Sequence, residues 1–135
     1  GSNFVTNKIV KGAVEIANGK RENLALGNLN ASRDWGHSKD YVRAMQMIVD
    51  HDEPRDWVVA TGQSRTIRDM CEVTFAALGL DYRDYVTVDP KFFRPQELDF
   101  LKGDSKEIRE KLGWEPEYTF ESMVEEMVNY WKEKL

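Results

Sequence analysis

Arg33 and Arg94 carry the strongest chemical suggestion in the chain. Arg33 opens the run Arg33-Asp34-Trp35-Gly36-His37-Ser38 just before a helix, and Arg94 stands beside Pro95 after Phe92 and Phe93. A guanidinium held in a loop can fork onto a diphosphate, or it can pair with a carboxylate of its own loop, here Asp34, Glu97 or Asp99. The residues leave both readings open. Thr6-Asn7-Lys8 offers helix-start amides and a cation, which together either seat an anion or simply cap a helix. His37 reads as a hydrogen-bonding residue at a helix start rather than a catalytic base. Trp35, Trp57, Phe92 and Phe93 read as core aromatics rather than stacking platforms.

Other chemistries lack their residues. Tyr130 and Lys134 have the Y-x-x-x-K spacing in which a lysine lowers a tyrosine pKa for proton transfer, but they close the chain with no cofactor fold before them, and read as a helix end. Asp50-His51-Asp52-Glu53 holds metal-ligand types, yet neighbours in one polar loop rarely converge on one ion, so no metal is assigned. Cys71 falls on the apolar face of a helix, and no G-x-S-x-G elbow exists. The nine glycines never come closer than seven positions, counting from Gly12 to Gly19, so neither G-x-G-x-x-G nor G-x-x-x-x-G-K-[ST] fits. No cofactor is expected within this chain.

The elements that must position these residues follow from periodicity. Ile9, Ala13, Ile16 and Ala17 recur at helical spacing after Thr6, which predicts a helix over 7–18 capped by Thr6 and stopped at Asn18-Gly19. Leu24-Ala25-Leu26 predicts a short strand, and Ser38 opens a helix whose face of Tyr41, Val42, Ala44, Met45, Ile48 and Val49 is widely apolar. Residues 57–61 are apolar at consecutive positions, the pattern of a strand covered on both sides. Thr66 with Asp69 predicts a capped helix running to Gly79, with Ile67, Met70, Cys71, Phe75 and Leu78 on one face. Residues 85–88 alternate as a strand closed by Asp89-Pro90. Ser105 caps a short helix ending at Gly113, and Thr119 opens a last helix burying Phe120, Met123, Val124, Met127, Val128 and Trp131. The predicted core includes Met45, Val58, Phe75, Leu78, Met123 and Met127.

Bulk composition bounds the function. The chain has 135 residues, 41% of them apolar and 32% charged, which suits one soluble domain. A net charge of -5 without a basic stripe disfavours nucleic acid and anionic membranes as partners. Apolar stretches fall far short of the roughly 20 residues of a membrane span, and no signal peptide is legible, so the expected place is the cytoplasm. One cysteine cannot form a disulfide within the chain. Gly1-Ser2 reads as an expression scar, leaving residues 3–135 as the domain.

Five segments together carry a family resemblance: Asn3-Phe4-Val5-Thr6-Asn7-Lys8-Ile9, Leu26-Gly27-Asn28-Leu29, Arg33-Asp34-Trp35-Gly36-His37-Ser38-Lys39-Asp40-Tyr41-Val42, Ala60-Thr61-Gly62 and Phe93-Arg94-Pro95-Gln96-Glu97-Leu98-Asp99. In order and spacing the chain closely resembles the C-terminal portion of the GDP-mannose 4,6-dehydratase family, which are extended short-chain dehydrogenases/reductases. The resemblance implies an α/β fold, the C-terminal substrate-binding part of such an enzyme, with about five helices and a few short strands. It implies a nucleotide-sugar binding domain over 3–135, the NADP-binding Rossmann domain and the catalytic residues belonging to a missing N-terminal part. By motif it puts Asn3 against the diphosphate or sugar, Leu24 and Leu26 near the base, and Arg33, Arg94 and Glu97 around diphosphate and ribose, with Lys8 as a further cation. Asn7 stands where the family usually has arginine and Ser32 where it usually has lysine, so two cations near a dianionic ligand are absent. The resemblance also implies that residues 57–61 join the cofactor domain's sheet. Expected partners are GDP-mannose or a related GDP-sugar and further copies of the chain, with no nucleic acid and no membrane. Two other functions stay open: a non-catalytic nucleotide-binding or association module, and a dehydratase or epimerase acting on another nucleotide sugar.

Overall fold

The computed structural model describes the backbone of residues 2–51, 57–92 and 105–135, and side chains from residue 5 within those spans. Among the described residues five α-helices dominate: α1 (Ser2–Ala17), α2 (Ser38–Asp50), α3 (Ile67–Ala77), α4 (Lys106–Leu112) and α5 (Phe120–Lys134). Four short strands accompany them in the same described spans: β1 (Leu24–Leu26), β2 (Ser32–Arg33), β3 (Arg65–Thr66) and β4 (Val86–Val88). β1 pairs in parallel with β4 in the register Leu24 to Val86 and Leu26 to Val88, while β2 pairs antiparallel with β3, Arg33 opposite Arg65.

Helices α1, α3 and α5 pack on one another. Ile9, Val10, Val14, Leu24, Met70, Phe75 and Val124 close the main core at 0–1% exposure. Cys71 lies in the same core, and burial pushes its thiol up to about 12, so it stays protonated and unreactive at neutral pH. A smaller cluster joins α2 to α4 through Ala44, Ile108 and Trp114. Local sequence explains most boundaries. Thr66 and Asp69 exchange side-chain to backbone hydrogen bonds at 2.9 and 3.0 Å at the start of α3. Thr119 and Ser122 form the same reciprocal pair before α5. Gly113, at φ 71°, ends α4 in the left-handed conformation that glycine adopts without steric cost.

Five expectations are corrected. Helix α1 starts at Ser2, so Thr6 lies inside it at 4% exposure rather than capping it. Thr6 shares the face of Ile9, Val10 and Ala13, and its burial there outweighs its capping preference. Residues 57–61 are not a strand: no described strand is their neighbour, and of the run only Ala60 is buried. Trp57 and Val59 tuck against the smaller cluster while Val58 is 54% exposed. Met45 is likewise solvent-facing at 60%, because α2 presents Ala44, Met47 and Ile48 inward and leaves Val42, Met45 and Val49 outward. Ser105 precedes α4 without a side-chain cap, since its hydroxyl accepts from Arg109 Nε at 2.8 Å. Of the other expected core residues, Phe75 and Met123 are buried, and Leu78 and Met127 pack half-buried against the core.

Candidate functional site

Beyond the C-terminal ends of the parallel pair, the chain builds a small cationic surface around an aromatic ring. Asp89 N donates to Leu26 O at 2.8 Å, and a 3-10 turn over Pro90–Phe92 brings Phe92 back over Gly27. A Cβ on Gly27 would stand 2.6 Å from Phe92 O, so the close approach requires glycine. The Phe92 ring is 41% exposed, with Lys8 Nζ 4.0 Å and Lys91 Nζ 5.1 Å from its centroid. Phe92 is therefore not a core residue, contrary to expectation. Open parallel sheets bind ligands at this end, and the exposed ring is flanked by two ammonium groups, of which Lys91 also pairs with Asp89 Oδ2 at 3.7 Å, leaving one net positive charge beside the ring.

The predicted site residues divide around this surface. Lys8 and Leu26 converge on it through Gly27 and Phe92, with the Leu26 side chain buried beneath at 4% exposure. Leu24, at 1%, packs further down against Gly12 and supports the strand from below. Asn3 lies in the first turn of α1, its side chain outside the described residues. Arg94 and Glu97 also lie outside them. Arg33 is half-buried on β2, where its Nη1 donates to Ser32 O at 2.7 Å. Its setting is a paired strand rather than a loop. Because α1 begins at Ser2, the amides of Thr6-Asn7-Lys8 sit within the helix and are not an anion seat at its start.

The rest of the Arg33-Asp34-Trp35-Gly36-His37 run turns out to be scaffold. Asp34 accepts from Thr61 N at 3.0 Å, Thr61 Oγ1 at 2.7 Å and Gly62 N at 2.9 Å, which latches the segment to the start of the Thr61-Gly62 turn. Trp35 is buried and stacks on Phe120. His37 caps α2, its Nδ1 accepting from Lys39 N at 3.0 Å, and stacks on Tyr118. This matches its reading as a helix-start residue. Asp40, at 2% exposure, accepts from Glu117 N at 2.8 Å, Tyr118 N at 3.2 Å and Arg43 Nη1 at 3.1 Å. Burial, and next the charge of Asp34, raise the Tyr41 phenol above its ordinary pKa, so it stays protonated through neutral pH. Lys134 Nζ stands 5.6 Å over the Tyr130 ring at the end of α5. The sequence offers Asp34 only as an ion-pair partner of Arg33 and Phe92 only as a core ring, and it assigns no role to Asp40 or Thr61.

The family model and the curated relatives agree on one family. The description "GDP-mannose 4,6 dehydratase" matches residues 1–127. GDP-mannose 4,6 dehydratase 1 of Arabidopsis thaliana is 45% identical over 129 residues, covering 96% of this chain and 36% of its own length. GDP-mannose 4,6 dehydratase of Homo sapiens is 41% identical over 146 residues, covering 96% of this chain and 39% of its own. The chain thus spans little more than a third of these relatives. Among solved structures, RMD from Pseudomonas aeruginosa complexed with NADPH has a TM-score of 0.89 at 20% identity, covering 100% of this chain and 44% of that one. UDP-glucose 4-epimerase from Bifidobacterium longum in complex with NAD+ and UDP has a TM-score of 0.75 at 18% identity, covering 93% and 39%. At those identities the likeness establishes the fold, that of part of an extended short-chain dehydrogenase/reductase.

Proposed function

The chain belongs to the GDP-mannose 4,6-dehydratase family, and from that premise we propose that it is the nucleotide-sugar-binding part of a longer dehydratase, cytoplasmic, that converts GDP-mannose to GDP-4-keto-6-deoxymannose with NADP. The observation that carries the reading is the surface beyond the β1 and β4 ends, where Lys8 and Lys91 flank the exposed Phe92 ring in a chain of net charge -5. Local positive charge against an acidic background suits an anionic ligand with a planar base. In this reading Arg33, Arg94 and Lys8 meet the diphosphate, Glu97 accepts from a ribose hydroxyl, Asn3 faces the diphosphate or sugar, and Leu24 and Leu26 shape the base subsite from beneath.

The residues present do not fit the dinucleotide. The glycines stand too far apart to form a phosphate-cradling loop, so NADP belongs to the remainder of the enzyme. Calorimetry should accordingly register no specific NADP binding by this chain, and the chain alone should not turn over GDP-mannose. Micromolar NADP affinity overturns the division of labour.

The outward stripe of Val42, Met45 and Val49 on α2, with Val58 nearby in sequence, is the face that the rest of the enzyme would cover. Alone, the chain self-associates through it, in keeping with a homo-oligomeric parent. Light scattering should show a mass that rises with concentration; a strictly monomeric mass at high concentration contradicts this.

A further inference from the structure

A cleft of about 380 Å³ shares no lining residue with the Lys8–Phe92 surface. Its volume lies in the range of small-molecule sites. The walls are of two kinds: Trp35, Tyr118 and Phe120 give it aromatic faces, and Arg65 and Arg109 bring guanidinium groups. Glu121 also lines it, so the formal charge of the lining is one positive unit.

Two of the lining residues carry a buried donor without a partner. Trp35 is 6% exposed and its indole Nε1 has no hydrogen-bond partner, and Arg65 Nε is buried and likewise unpartnered. A buried donor left unsatisfied is costly, which marks such a group as awaiting an acceptor. The neighbouring Arg65 Nη2 is held only loosely, at 3.4 Å from Gln63 Oε1 and 3.8 Å from Glu121 Oε1. The Nε/Nη2 edge of Arg65, the edge that forks onto a carboxylate, is thus uncommitted on one atom and weakly committed on the other. Arg109 is tied down by contrast, its Nη2 donating to Thr61 O at 2.6 Å. The Arg65 side chain is 35% exposed, on a cleft that Gln63, Thr119 and Glu121 leave open to solvent.

We propose that this cleft binds an aromatic carboxylate, its oxygens taken by the Nε/Nη2 edge of Arg65 and by the indole N–H of Trp35. The aromatic walls select a planar body, and a lining of one net positive charge that includes Glu121 favours a monoanion over a phosphate dianion. The site goes beyond the GDP-sugar reading and does not depend on it.

Benzoate is the probe, with benzyl alcohol as its uncharged counterpart and inorganic phosphate as a second anion. In ¹⁵N spectra of the protein, the indole signal of Trp35, assigned with Trp35→Phe among the four tryptophans, should shift saturably with benzoate and much less with either control. Arg65→Gln should weaken benzoate about tenfold or more, and Arg65→Lys should do nearly the same because an ammonium has no planar fork. Equal response to benzyl alcohol or phosphate, no shift at Trp35, or wild-type benzoate affinity in folded Arg65→Gln each overturns the proposal. If neither Arg65 variant folds, the comparison of benzoate with benzyl alcohol on the wild-type protein decides alone.

Discussion

Asp40→Ala lowers the unfolding free energy by about 3–5 kcal/mol, the cost of removing one partner from a buried charged network. The carboxylate is 2% exposed and holds three donors: the amides of Glu117 and Tyr118 and the guanidinium of Arg43. Alanine removes these contacts from the segment between α4 and α5, which then stays on α2 through Trp114 Nε1 on Asp40 O and Arg43 on Glu115 O. With an unfolding entropy of about 2.1 cal/mol/K per residue, the thermal midpoint should fall by about 10–18 °C. Asp40→Asn keeps the shape and one acceptor oxygen, and should recover part of the loss. An Asp40→Ala midpoint within about 3 °C of wild type, roughly 1 kcal/mol, shows that the network is not what ties the segment down.

In the longer enzyme, Arg33→Ala and Arg94→Ala each reduce kcat/KM for GDP-mannose by roughly tenfold to a hundredfold. On the proposed function each variant deletes charge-assisted hydrogen bonds to the diphosphate worth about 1.5–3 kcal/mol. Arg94→Lys should restore only part, since a point charge cannot reproduce bidentate geometry. Steady-state kinetics with fold verified by circular dichroism checks this. If both alanine variants stay within twofold of wild type, the arginines are structural and their proposed contact with the diphosphate is wrong.

How much of this was legible in the sequence depends on how local each cause is. The Thr66–Asp69 cap was readable because both halves lie within four residues, and the last helix was correctly opened at Thr119. The reciprocal role of Ser122 escaped notice because the usual capping partner is Glu or Gln. Thr6 misled because a capping residue and a buried helical one look alike until the opposing helices are in place. Residues 57–61 misled for a related reason: an apolar run shows that a surface seeks cover, not whether the cover lies within the chain. The Arg33-Asp34-Trp35-Gly36-His37 run was recognised as a motif, but the division of labour inside it was not. Asp34 and Asp40 bond to amides 27 to 78 residues away in sequence, and no spacing rule reaches that far. Phe92 was read as core because aromatics usually are; the approach of Gly27 and two lysines places it at the surface instead.

The central claim, that this chain seats a guanosine diphosphate sugar, is tested most directly by mapping GDP onto the folded protein through ¹⁵N chemical shifts. Charge-assisted contacts at a partly assembled site give weak, salt-sensitive binding, so the titration belongs at low ionic strength. The account predicts saturable shifts at Lys8, Gly27, Arg33 and Phe92 that fade as salt is added and that mannose alone does not produce. Saturable GDP shifts confined to other residues, or none at these four in a spectrum that is otherwise that of a folded protein, contradict it.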